Sequence, residues 1–127
     1  MRGYMLLVAL SAVTLFHTEE YAQIEREVMD FVHAAEARHD LQGLAAQIDL
    51  AKISGSLPQP EEFSSFAREA LRSFEKGRDT SQDPWGNPYR MQVRSGNVEL
   101  SSAGPDQKPG SADDLIVDIV QSIDNRF

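Results

Sequence analysis

The sequence predicts an α+β fold: a long N-terminal helix packed on a short second helix and a small three-stranded antiparallel sheet. Three observations predict it. From Tyr4 to about Ile53 there is no proline, and Gly43 is the only glycine, so one long helix is the economical reading. Pro60 opens a second, shorter helical pattern. Beyond Gly77 the chain turns to short apolar runs separated by turn residues, which is the pattern of strands.

In the first element, Tyr21, Ile24, Val28, Phe31, Val32 and Ala35, then Leu41, Leu44, Ile48 and Ala51, recur mostly at three- and four-residue steps. They read as one packed stripe. Glu25, Arg26, Glu27, Asp30, Glu36 and Arg38 take the other faces, as a solvated side requires. Gly43 is a weak point that costs about 1 kcal/mol against alanine. Gly55-Ser-Leu-Pro58-Gln-Pro60 then stops the helix and turns the chain.

Pro60 suits the first turn of the next helix, and Glu61 and Glu62 complement its positive end. Phe63, Phe66, Ala67, Ala70, Leu71 and Phe74 form its apolar face, which covers the C-terminal half of the first helix. Arg68, Arg72, Lys76 and Arg78 gather late, where they complement the helix dipole and read as a solvated face. Tyr89–Arg94 and Val98–Ser101 flank Ser95-Gly96-Asn97, a hairpin signal, and Leu115–Val120 supplies a third strand. So small a sheet needs a face to pack on, and the first helix offers one. Trp85 plugs the corner between Pro84 and Pro88 and reads as core.

Composition narrows the classes. A chain of 127 residues, 41% hydrophobic and 25% charged, is one small folded domain. Its net charge of −8 leaves no basic stripe for phosphates. Zero cysteines exclude a disulfide framework and zinc-thiolate sites.

The most distinctive stretch is Ser102-Ala-Gly-Pro-Asp106-Gln-Lys-Pro-Gly-Ser-Ala-Asp113-Asp114. Hard cations such as calcium take six to eight oxygens, and a loop rich in glycine and proline can fold around one ion. Asp106, Asp113 and Asp114 would otherwise crowd like charges together, so the loop reads as a calcium clamp. Its spacing is not that of an EF-hand. A solvated acidic turn is the alternative at this point.

This loop, with Asp83-Pro-Trp-Gly-Asn-Pro-Tyr89 upstream, Ser102-x-Gly104-x-Asp106 and the pair Asp113-Asp114, resembles the major pseudopilin of bacterial type II secretion systems and related type IV pilin-like proteins. The resemblance covers roughly residues 56 to 127. It implies a pilin-like fold with a calcium loop held by the side chains of Asp106, Asp113 and Asp114. Carbonyls of Ala103, Lys108 and Ser111 would complete that site. It also implies partners: other pilin-like subunits in a homo-oligomeric filament, the secretion machinery, and the inner membrane through the N-terminal helix.

The apolar run Tyr4–Phe16 follows Arg2-Gly3. It is short for a span, which takes about 20 residues, and suits the core of a signal peptide. Through the resemblance, residues 1–18 read instead as a leader and anchor cut before Tyr4, ahead of a pilin-like domain at 19–127. That domain has a helical part, 19–77, and a sheet and loop part, 78–127. Where the family carries a glutamate five residues after the cut, this chain has Val8.

Catalytic patterns are missing: no His-Glu-x-x-His, Walker A, dinucleotide-binding or nucleophile-elbow motif occurs. His17, His33 and His39 read as solvated, and Asp106 with Asp113 makes a poor glycosidase pair in so small a chain. The expectation is therefore a structural subunit and not an enzyme: a calcium-stabilised member of a type II secretion pseudopilus or related filament. It would sit in the inner membrane with its domain in the periplasm, or in an extracellular filament. The alternative is an exported pilin-like interaction module, or a minor tip subunit, that does not polymerise.

Overall fold

A computed structural model describes the backbone of residues 2–72 and 77–120, and the side chains of residues 18–72 and 77–120. The elements are α1 (Arg2–Ser54), a 3-10 turn (Pro60–Glu62), α2 (Phe63–Ala70), β1 (Arg90–Arg94), β2 (Asn97–Ser102) and β3 (Leu115–Ile119). The chain divides into two compact units, Met1–Val32 and His33–Phe127.

The first unit is helix throughout its described length. Tyr21, Ile24, Val28 and Phe31 are 68%, 55%, 55% and 75% exposed. Among the described residues no helix is long and apolar enough to cross a membrane. Of the leader and anchor expected at residues 1–18, the side chains of 1–17 lie outside the described residues.

In the second unit, α1 buries Ala37, Leu41, Leu44, Ile48 and Ala51. The expectation of a single packed stripe along the helix is thereby corrected: its first run is exposed and its second is core. Residues 18–32 are exposed on every face of the helix, and the six-residue step from Ala35 to Leu41, at about 100° per residue, also puts the second run on a different face from the first. Gly55, at φ +70°, ends the helix; the Ser56 amide reaches back to the Ala51 carbonyl at 2.8 Å, as a left-handed glycine cap allows.

Leu41, Leu44 and Ile48 meet Phe63, Ala67 and Leu71 from α2 and its exit, and Tyr89, Met91, Val98, Leu100 and Ile119 from the sheet. Phe63 stacks on Phe66 with ring centroids 6.0 Å apart. Leu71 also overlies Gly43, where an added Cβ would lie 3.4 Å from its side chain, so the glycine sits under a packed contact. Phe74 and Lys76 lie outside the described residues.

The three strands are antiparallel in the order β1-β2-β3. Met91 pairs with Leu100 and Leu100 with Val117; Val93 pairs with Val98 and Val98 with Ile119. Paired residues share a face of the pleat, and on it Met91, Leu100, Val98, Ile119 and Val117 cover the core, while Val93 is 50% exposed. Of the arginines expected as a solvated face, Arg68 and Arg72 are exposed and make surface ion pairs with Asp79 (3.3 Å) and Glu69 (2.7 Å), whereas Arg78 departs from that expectation and is drawn onto the buried Asp40.

Candidate metal loop

The loop from Ala103 to Asp114 leaves β2 and feeds β3. Its anchorage begins upstream, at Asp83. That carboxylate is 3% exposed and accepts from the amides of Trp85 (3.1 Å) and Asn87 (2.8 Å), from Asn87 Nδ2 (3.0 Å) and from the Ser102 hydroxyl (2.6 Å). An aspartate ahead of a turn commonly captures the amides that follow it; here it also captures the end of β2. Asn87 Nδ2 continues to the Gly104 carbonyl at 3.1 Å. Gly104 has φ +72°, and an added Cβ would stand 2.6 Å from the Asp113 carbonyl, so the two ends of the loop touch.

That closure brings the acids together. Asp106, Asp113 and Asp114 each offer an oxygen, and these oxygens lie within 4.8 Å of one another. Two oxygens bound to one calcium ion, each at about 2.3–2.6 Å, can stand no more than about 5 Å apart; the donor set is all-oxygen and anionic, and it fits that ion. The loop's own donors steer the carboxylates. The Lys108 amide bonds Asp106 Oδ1 at 2.8 Å, the Asp106 amide bonds Asp113 Oδ2 at 3.1 Å, and the Gly110 amide bonds Asp114 Oδ2 at 2.6 Å. Ser111 Oγ lies between Asp113 Oδ1 and Asp114 Oδ1. Chiefly through that hydroxyl, with the Asp106 amide adding to it against an opposing effect of burial, the Asp113 carboxyl is held below the usual carboxylate range.

Of the carbonyl ligands that the resemblance implied, the structure shows the place in the loop. Ala103 is 3% exposed at the loop's entrance. Lys108 is exposed and its amide serves Asp106. The Ser111 carbonyl accepts the Asp114 amide at 3.3 Å, and its hydroxyl joins the acids. Asp83, Asn87 and Ser102, the frame of the loop, lie outside the acidic set that the sequence singles out. Asp-Pro-Trp-Gly-Asn carries a turn signal that could have found the first two.

Trp85, expected as a core plug, is half-buried at the corner. Its ring meets His33 of α1 edge-on, with centroids 5.6 Å apart and planes at 88°. His33 is thus packed and not solvated, whereas His39 is exposed; His17 lies outside the described side chains.

A long N-terminal helix, a short second helix, a three-stranded antiparallel sheet and an acidic loop before the last strand define a pilin-like α+β subunit. The model of the family described as Type II secretion system (T2SS), protein G, matches residues 27–121, and the chain belongs to that family, the major pseudopilins of the system. The match takes in the second half of α1 as well as the sheet and loop. Comparison with curated proteins and with solved structures gave no significant match.

Proposed function

We propose that this pseudopilin is a structural subunit of the secretion pseudopilus, with one calcium ion holding the loop between β2 and β3. The observation that carries the reading is the convergence of Asp106, Asp113 and Asp114 within 4.8 Å, in a chain whose family is that of pseudopilin subunits. A bound calcium ion supplies positive charge that offsets the mutual repulsion of three carboxylates. The carbonyls of Ala103, Lys108 and Ser111 are the further oxygens the loop can offer. Only the folded loop gathers these ligands, so binding free energy adds to folding stability.

The exposed Tyr21, Ile24, Val28 and Phe31 are the apolar surface through which neighbouring subunits pack, since contiguous exposed apolar residues commonly mark an interface. The N-terminal helix holds the subunit at the inner membrane, with the folded domain in the periplasm. A chelator lowers the melting temperature and opens residues 103–114 to protease, and Asp113→Ala does the same without chelator. A melting curve indifferent to both calcium and chelator sinks the metal reading.

Val8 favours a second reading, a non-polymerising or tip-located module, because the family's glutamate is missing at that position. N-terminal sequencing of the mature protein separates them: a terminus at Tyr4 supports filament entry, and a terminus near residue 20 supports the module.

A further inference from the structure

A continuous series of contacts runs from the acidic loop to α1. Asp113 abuts Gly104, Gly104 accepts from Asn87, and Asn87 is fixed on Asp83 together with the Trp85 amide. Gln107, at φ +58° in the same loop, donates from Nε2 to the Trp85 carbonyl at 3.4 Å. Trp85 then meets His33 edge-on. His33 Nδ1 is buried, and among the described residues nothing hydrogen-bonds it. The edge-on contact with Trp85 thus bears on the placement of the imidazole, and a shift of Trp85 is felt at His33.

We propose that Trp85 and His33 couple the loop to the helix, so that calcium in the loop tightens α1 around His33. The proposal rests on the calcium reading above. It concerns a different property: whether the loop's state is felt on the helix. His33 acts as a positioning residue and touches no metal. Because coupling between two sites is reciprocal, whatever factor calcium adds to the helix contact, loss of that contact removes from calcium affinity.

Hydrogen exchange followed by mass spectrometry on the full chain, with calcium chloride or with a chelator, reads both ends at once. Calcium is expected to slow exchange at residues 103–114 and also at residues 33–40. His33→Ala keeps the slowing in the loop, loses it in the helix and weakens calcium binding measured by calorimetry about two- to tenfold, the range an edge-on aromatic pair carries. His33→Phe, which keeps an aromatic edge, retains both. Slowing confined to the loop, or an unchanged calcium affinity in His33→Ala, overturns the coupling while the metal reading stands. If calcium alters neither segment, the metal reading and the calcium effect on α1 both fail, and Asp113→Ala and Gln107→Ala decide only whether loop and helix are coupled. Faster exchange at residues 33–40 in either variant supports it; unaltered exchange there in both overturns it.

Discussion

The Tyr89 hydroxyl donates a 2.7 Å hydrogen bond to Oδ2 of Asp40, joining residues 49 positions apart. The same oxygen receives the Arg78 guanidinium, and Asp40 is only 8% exposed. Burial, reinforced by the neighbouring Asp40 carboxylate, pushes the Tyr89 phenol well above its ordinary range. A hydrogen bond to a charged, buried group is worth more than a neutral one, so Tyr89→Phe is expected to lower unfolding free energy by about 2 kcal/mol. Asp40→Ala removes the acceptor that Tyr89 and Arg78 share, and should lower it by about 3 kcal/mol or more. Urea denaturation of the two variants checks the order; a Tyr89→Phe protein as stable as wild type contradicts it.

This latch also marks where the sequence stopped being legible. Both strands of the hairpin, the acidic loop and the helix-ending Gly55 announce themselves through local pattern, because turn chemistry and period-two alternation act between near neighbours. Asp40 looks like one more charge on a helix face, and nothing near it in sequence signals a partner at Tyr89 or Arg78. The same holds for Ser102 on Asp83 and His33 on Trp85. Asp106, Asp113 and Asp114 are readable as a set because an acidic, glycine-rich loop is local; the tie from Ser102 to Asp83 that closes its frame spans 19 residues and is not. The six-residue step from Ala35 to Leu41 shows a change of face, but not that residues 18–32 are exposed all round, which depends on what packs against the helix.

Gly104 tests the loop's closure more sharply than any single acid. Its φ of +72° disfavours a side chain, and a Cβ would stand 2.6 Å from the Asp113 carbonyl. Gly104→Ala should therefore cost about 1–3 kcal/mol of stability, and it should also weaken calcium binding, because Asp113 must retreat. Thermal melting with and without calcium checks both. A variant with unchanged melting in calcium shows that the loop does not depend on this approach.

Asp79 contributes to the acid limb of stability. The Ser81 hydroxyl and amide, then Arg68, lower its pKa from 3.8 to about 2. A carboxyl whose folded pKa is depressed contributes stability above the unfolded value, and that contribution is lost as pH falls through the folded one. Between about pH 4 and pH 2 the wild type should lose this contribution progressively. Asp79→Asn should be less stable at neutral pH and show a flatter curve over that window. Denaturant midpoints taken at several pH values supply the check, and identical slopes in the two proteins rule the assignment out.

Leu44 and Phe31 stand on the same helix but have opposite consequences. Leu44 is fully buried among α2 and sheet residues, whereas Phe31 is 75% exposed. Removing the buried side chain leaves a cavity, so Leu44→Ala should lose about 2–5 kcal/mol of stability. Phe31→Ala removes little that the isolated subunit uses, and its stability should stay within about 0.5 kcal/mol of wild type. Assembly should respond in the reverse sense. The chain has zero cysteines, so a single cysteine introduced at Tyr21 or Val28 can report contacts between subunits by oxidative crosslinking. In that background Phe31→Ala is expected to reduce crosslinked species while leaving the denaturation midpoint alone. If crosslinking is untouched by Phe31→Ala, the exposed run is not the surface on which subunits pack.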